Sequence, residues 1–297
     1  MDLDTELIRA LQVDGRASIH DLATALARPR AAVSARLSAL LADGTVRVVA
    51  AVDPGFLGQH VLAHVSIRAD GEVEAIAERL RELDQTVLVS GIGGVYDLIA
   101  EVRVASMPRL RAMAGLIREI PGVVEVNTLI YESVIKGFFV SQYRGEVTLD
   151  AIDRSLIEEL QRDGRRSYRA LAESVRLSPS AVATRVQRLI DSGVIRISAV
   201  EARGAARRQL SLGVGLTLRE DAAAVAALAS WPCVDFAART VGRFDVIATL
   251  VEPTAGELFA DLERLRALPG VARSESWFHL RVLKEDYARS LTRLAVT

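Results

Sequence analysis

The stretch "LQRDGRRSYRALAESV" (Leu160–Val175) has a near copy far upstream, "LQVDGRASIHDLATAL" (Leu11–Leu26). Asp14-Gly15-Arg16 falls on Asp163-Gly164-Arg165 at an offset of 149. At that offset Leu7, Ile8, Leu11, Leu22, Ala23, Val33, Arg36, Leu40 and Gly44 fall on Leu156, Ile157, Leu160, Leu171, Ala172, Val182, Arg185, Leu189 and Gly193. Further along the offset becomes 148: "GVYDLIAEV" from Gly94 aligns with "GRFDVIATL" from Gly242, and "IPGVV" from Ile120 with "LPGVA" from Leu268. Even the two lysines, Lys136 and Lys284, obey it. The period is far longer than a solenoid repeat, so the chain reads as a duplicated two-domain unit.

The quoted stretch lies in the first domain of the second unit. Leu149, Ile152, Leu156, Ile157 and Leu160 have helical spacing, which Asp163-Gly164 stops. Tyr168, Leu171, Ala172 and Val175 predict a short second helix. Val182, Val186, Leu189 and Ile190 predict a third, closed by Gly193 and followed by the β-branched "VIRISAV". Ser178 is placed to cap the third helix, with Pro179 at its first position. The exposed face of that helix would carry Ser180, Thr184, Gln187 and Arg188, with Arg185 nearby. Such side chains reach phosphates and base edges, although a plain three-helix bundle with a polar outer face has the same pattern.

The segment from Leu149 to Arg196 resembles the DNA-binding domain of the leucine-responsive/asparagine-regulator (Lrp/AsnC) family of bacterial transcription factors. The resemblance is carried by Asp153, Leu160, Asp163-Gly164-Arg165, Leu171-Ala172, Leu177-Ser178-Pro179-Ser180, Arg185, Leu189 and Gly193-Val194-Ile195. It implies a winged or three-helix helix-turn-helix domain whose third helix enters the DNA major groove. The first copy departs from this pattern. Leu177-Ser178-Pro179-Ser180 becomes Arg28-Pro29-Arg30-Ala31, and Thr184, Gln187 and Arg188 become Ala35, Ser38 and Ala39. Arg28, Arg30 and Arg36 remain as candidate phosphate contacts.

Charge follows the same division. From Asp150 to Arg208 twelve arginines face eight acids, from Ala51 to Leu149 nine basic residues face thirteen acids, and from Asp2 to Ala50 six face six. A basic segment inside a chain of net charge −1 is a candidate nucleic-acid footprint, or a solvated face.

The second domain of each unit predicts the order βαββαβ, a ferredoxin-like split βαβ arrangement, so the class is α+β. A strand from His60 to Ile67 is followed by a helix from Glu72 to Leu83. The strands "TVLVSGI" and "VYDLIAEV" are then joined by a two-residue hairpin at Gly93-Gly94. A helix from Met107 to Ile120 and the strand "VVEVNTLIYESVIKGF" complete the first copy. The second copy gives Leu210–Leu218, Ala222–Ser230, Val234–Val241, Phe244–Val251, Ala255–Leu268 and Val271–Leu283. The expected domains are therefore 1–50, 58–143, 147–199 and 208–290.

This second domain resembles the family's effector-sensing and oligomerisation module, called RAM, and the duplication resembles the family's tandem members. Gly94-Val95-Tyr96-Asp97 and Gly242-Arg243-Phe244-Asp245 match its Gly-x-Tyr-Asp element. The resemblance implies a small effector near this turn and the last strand, where Thr128 and Ser276 occupy matching places. An amino acid would need N–H donors for its carboxylate and an anion, Asp97 or Asp245, for its ammonium. Glycine and aspartate are also ordinary hairpin residues, and the aromatic residue between them also suits a core.

Expected partners are double-stranded DNA, a small-molecule effector that is an amino acid or relative, an intrachain pseudo-dimer and further copies of the chain. No catalytic residue, cofactor or metal is expected. His60 and His64 share a strand face without a nearby cysteine, and read as surface or interface. Cys233, the single cysteine, excludes a disulfide framework. No apolar run is long enough to span a membrane, the start "MDLDTELIRAL" is too polar for a signal peptide, and a cytoplasmic location is expected. Siroheme decarboxylases share the two-domain design, but their hairpin strand carries Tyr-Asn-Leu-Trp. The matching residues are Tyr96-Asp97-Leu98-Ile99 and Phe244-Asp245-Val246-Ile247. A ligand-free architectural DNA binder, or a sensing module with vestigial DNA contacts, are further alternatives.

Overall fold

Each copy begins with three helices and a strand. In the first these are α1 (Leu3–Val13), α2 (Ile19–Ala25), α3 (Arg30–Ala42) and β1 (Val46–Val52). In the second they are α6 (Ala151–Arg162), α7 (Tyr168–Val175), α8 (Pro179–Asp191) and β6 (Ile195–Glu201). The computed structural model describes residues 3–137, 143, 145, 147–201 and 209–286. The four expected domains gather into two compact units, one holding both helix-turn-helix segments and one holding both sensing segments. The outer ends of the expected domains 58–143 and 208–290 fall partly outside the described residues.

In the first unit the strand that follows each third helix pairs with its counterpart in the other copy. β1 and β6 run antiparallel, with Val48 opposite Ala199 and Ala50 opposite Ile197. Helix α1 packs on β6 and α6 on β1, so each copy's first helix rests on the other copy's strand. One hydrophobic core results, in which Leu7, Leu11, Leu156, Leu160, Val48 and Ile197 are all buried. Helices α2, α6, α7 and α8 have side-chain N-caps from Ser18, Asp150, Ser167 and Ser178, whereas α3 starts at Pro29 with none.

In the second unit each copy folds as expected in class. The first runs β2 (Val61–Ala69), α4 (Val73–Glu82), β3 (Thr86–Gly93), β4 (Leu98–Val104), α5 (Met107–Arg118) and β5 (Val123–Lys136). The second runs β7 (Leu210–Leu218), α9 (Ala222–Ser230), β8 (Val234–Val241), β9 (Val246–Glu252), α10 (Ala255–Arg266) and β10 (Val271–Glu285). Strand orders β3-β4-β2-β5 and β8-β9-β7-β10 are the ferredoxin-like arrangement. The free edges then pair across copies, β5 with β8 and β10 with β3, which closes an eight-stranded antiparallel barrel. Among the described residues, closure leaves the barrel without an edge strand.

Two expectations need correction. The hairpin is not a two-residue Gly93-Gly94 turn, because β4 begins at Leu98 and β9 at Val246. Residues 94–97 form the connection, drawn back by the Asp97 N–H, which donates to Ile67 O at 3.0 Å, while Asp97 O accepts from Ile92 N at 2.9 Å. Nor do His60 and His64 share a strand face: His60 lies outside β2 and is exposed, while His64 is 4% exposed.

Candidate nucleic-acid interface and ligand turns

Helix α8 presents a polar outer face. Ser178 Oγ accepts from Ala181 N at 3.2 Å, which fixes the start of the helix, and it lies 3.1 Å from Ser180 Oγ. Thr184 Oγ1 donates to Ser180 O at 3.1 Å and Gln187 Nε2 to Asp191 Oδ1 at 2.7 Å. Ser178, Ser180, Thr184, Gln187 and Arg188 are all exposed. Thr184, Gln187 and Arg188 border a shallow concavity that ends at Tyr168 on α7.

Arg185 and Arg188 are tied back to α6. Arg185 Nη1 donates to Asp150 Oδ2 at 2.7 Å and to Asp153 Oδ1 at 2.9 Å, and Arg188 Nη2 donates to Asp153 Oδ2. Asp153 is 1% exposed, and these arginines compensate its buried carboxylate. The sequence reading missed this anchoring role. Its only trace is the Asp150–Asp153 capping box, spaced as such boxes are.

Helix α3 is the weaker counterpart. Arg36 pairs with Asp4, and Arg28 Nη2 lies 3.3 Å from Glu6 Oε2. Arg30, at the start of the helix, is exposed. Ala35 and Ala39 stand where α8 has Thr184 and Arg188, and Ser38, exposed, where it has Gln187.

In the barrel, each Gly-x-aromatic-Asp turn meets the last strand of the other copy. A Cβ at Gly94 would lie 3.8 Å from Ser276 O and 3.2 Å from Trp277 Cβ, and one at Gly242 would lie 3.4 Å from Thr128 O and 2.5 Å from Leu129 Cδ2. The structure therefore sets Gly94 beside the Ser276 carbonyl and Gly242 beside the Thr128 carbonyl, whereas the Asp97 and Asp245 carboxylates turn to the first strand of their copy. Both acids thereby tie their hairpin to that strand. Asp97 Oδ2 accepts from Ala69 N at 2.8 Å and Asp245 Oδ2 from Leu218 N at 2.7 Å.

The aromatic residues turn into the barrel. Tyr96 (6% exposed) and Phe244 (3%) join Ile92, Ile99, Leu129, Ile247 and Trp277 in a core of their own. Tyr96 OH donates to Glu125 Oε1 at 2.7 Å, and burial, followed by that carboxylate, raises its pKa. The two copies differ most here. Val95 is exposed, whereas Arg243 spans the rings of Tyr96 and Phe244 at 5.0 and 4.3 Å and donates to Glu275 Oε2 at 3.1 Å.

His64 lies within the barrel beside Trp277, with ring centroids 5.7 Å apart. Burial, then the nearby His279 and Arg243, pushes its pKa down to about 3. Elsewhere Cys233, Glu252 and Asp261 bring ligand atoms within 4.8 Å of one another. Burial pushes the Cys233 thiol up to about 12, which works against the thiolate a metal requires.

Comparison with known proteins agrees with this geometry. The AsnC-type helix-turn-helix domain matches residues 2–41 and again 149–190, and the Lrp/AsnC ligand binding domain matches residues 61–138. An HTH-type transcriptional regulator of Mycobacterium tuberculosis is 33% identical over 132 residues, covering 43% of this chain and 89% of that protein. The regulator LrpA of the same organism is 29% identical over 130 residues, covering 43% of this chain and 85% of that one. Among solved structures, the siroheme decarboxylase NirDL superposes with a TM-score of 0.64 over 97% of this chain and 94% of its own, at 16% identity. That likeness is one of fold, and it extends across both copies. Among the described residues no helix is long and apolar enough to cross a membrane. The chain belongs to the Lrp/AsnC family, as a tandem duplicated, DNA-binding transcriptional regulator with that family's ligand-binding domain.

Proposed function

We propose that one chain works as a built-in asymmetric dimer, in which α8 reads bases, α3 holds phosphates and the barrel turns receive an amino acid or related metabolite. The observation that carries the DNA part is the contrast between the two helices. Exposed Ser180, Thr184 and Gln187 follow a serine cap on α8, while Ala35 and Ala39 follow an uncapped start on α3. Base-reading groups set sequence preference, and phosphate contacts set the salt dependence of affinity.

The test titrates DNA across a salt series with Thr184→Ala/Gln187→Ala and with Arg28→Ala/Arg30→Ala. The α8 variant is expected to lose preference for its site. The α3 variant is expected to bind all sequences more weakly, with a salt slope shallower by about 1 for each phosphate no longer held. Equal effects of the two variants would overturn the division of labour.

For the effector, the glycine turns offer backbone donors to a carboxylate, and Asp97 and Asp245 offer a carboxylate oxygen beyond the one bound to the backbone. The main-chain carbonyls of Ser276 and Thr128 lie beside the two glycines as further acceptors. Chemistry on a substrate forms no part of this reading, and it places the protein in the cytoplasm, with larger assemblies formed by further copies of the chain. The fold shared with a siroheme decarboxylase supports one rival, binding of a tetrapyrrole. A new visible absorption band on adding a metallo-uroporphyrin would favour that rival, and an unchanged spectrum the regulator.

A further inference from the structure

The Asp-Gly-Arg motif that reveals the duplication has no part in the DNA or ligand surfaces described above. It sits at the corner between the first and second helices of each copy, and in the first unit the two corners meet. Arg16 Nη1 donates to Gly164 O at 2.6 Å and its Nη2 to Arg166 O at 3.1 Å. Arg165 Nη1 donates to Gly15 O at 2.7 Å and its Nη2 to Ala17 O at 3.0 Å. Each guanidinium thus spends its fork on two carbonyls of the opposite turn.

The other two residues of each motif serve the same contact. Asp14 Oδ1 accepts from Arg16 N and Asp163 Oδ1 from Arg165 N, both at 2.9 Å, which shapes each turn. Gly15 N donates to Ile197 O at 3.1 Å and Gly164 N to Val48 O at 2.8 Å. A Cβ at Gly15 would come within 2.9 Å of the Ile197 backbone, and one at Gly164 within 3.0 Å of Val48 O. Only glycine lets the turns approach the crossed strands this closely.

We propose that these turns form a reciprocal clasp that fixes the separation and tilt of α3 and α8, and so selects the half-site spacing the chain accepts on DNA. The clasp rests on the DNA-binding reading above. It acts by position, since Arg16 and Arg165 face carbonyls and do not present their charge to DNA. Two like charges are held together here, and burial, with Arg16 next, lowers the pKa of Arg165. The contact also reaches the reading face, because Arg16 lies 4.4 Å over the ring of Tyr168, which borders the concavity beside Thr184 and Gln187. Arg16 and Arg165 are therefore positioning residues for specificity.

Two measurements on the full chain test this. Spin labels at Ser38→Cys and Gln187→Cys, equivalent exposed positions on α3 and α8, report the helix separation without DNA; the native thiol, Cys233, is buried. A single narrow distance is expected, broadening in Arg16→Gln/Arg165→Gln. The second measurement compares duplexes carrying the two selected half-sites with and without about 5 extra base pairs, half a helical turn. The unlabelled parent should lose about tenfold in affinity on insertion, and the double variant less than about threefold.

Arg16→Lys and Arg165→Lys singly keep the charge but lose the fork. They should show the same relaxation, and they carry the test if the double variant unfolds. An unchanged distance distribution, or an unchanged insertion penalty, would overturn the clasp. A narrow distance in a chain that prefers no DNA would refute the DNA reading, and the spacing role with it, while still measuring the clasp itself.

Discussion

Asp153, buried in α6, receives Arg188 of the recognition helix on one carboxylate oxygen and Arg185 on the other. A residue expected to face DNA thus also neutralises a buried charge. Arg188→Ala should lower stability by about 1 kcal/mol, since Arg188 is half exposed and Arg185 stays in place. Asp153→Ala should cost about 3 kcal/mol, because it frees Arg188, leaves Arg185 only Asp150, and breaks the return half of the α6 capping box. Gln187→Ala should leave stability unchanged. Urea denaturation of the three variants separates anchoring from reading; identical stabilities would refute the anchor.

Asp97 and Asp245 each hold a backbone N–H at the end of the first strand of their copy, Ala69 and Leu218. Alanine at either position should cost about 1–2 kcal/mol for the donor left unsatisfied. Asparagine keeps an acceptor oxygen and loses only the charge. If an ammonium-bearing effector binds here, Asp97→Asn or Asp245→Asn should abolish its thermal shift while keeping the melting temperature of the free protein. A thermal-shift screen against the amino acids with these variants checks this. A shift that survives both asparagine variants would remove the carboxylates from the site.

His64 makes stability depend on pH. In the unfolded chain an imidazole takes up a proton below its ordinary value of 6.5, whereas the buried ring stays neutral down to about 3. The unfolded state binds more protons between these limits, so stability is retained above that window and falls as pH drops through it. The slope reaches at most about 1.4 kcal/mol per pH unit. His64→Gln should flatten the slope, as measured by denaturation from neutral pH to about pH 4.5, within that window. An unchanged slope would locate the dependence elsewhere.

Gly213 takes the place in the second copy that His64 takes in the first, opposite Trp277 as His64 is opposite Leu129. A Cβ there would fall 2.0 Å from Trp277 Nε1, so large and small residues have changed places between the copies. Gly213→Ala should cost about 1–3 kcal/mol through overpacking and alter the Trp277 fluorescence. Unperturbed fluorescence and stability would show that the barrel core tolerates symmetry.

The helices and both βαββαβ orders were legible because their apolar periods are local. So was the serine cap that α8 has and α3 lacks. What the sequence did not disclose is how the copies meet. β5 and β10 alternate weakly, since their inner residues include polar Asn127, Tyr131, Glu275 and His279 as well as Leu129 and Trp277. Pairing of β1 with β6 leaves no mark either, because a β-branched run fits any partner strand. The repeated Asp-Gly-Arg stood out, yet backbone carbonyls have no residue signature, so the reach of Arg16 and Arg165 to the opposite turn could not be read. The hairpins were misread for a related reason. Gly93-Gly94 fits a two-residue turn locally, but the bond from Asp97 N to Ile67 O draws on a strand thirty residues away.

The central claim is that a single chain presents two unequal DNA-reading surfaces at one fixed spacing. Selection of binding sites from random duplex DNA by the intact protein tests it most directly. The predicted result is a site with one well-defined half recognised by α8 and one degenerate half, held at a single separation near a whole number of turns, about 10.5 base pairs each. A symmetric palindrome with two equally defined halves, or no enrichment at all, would contradict it.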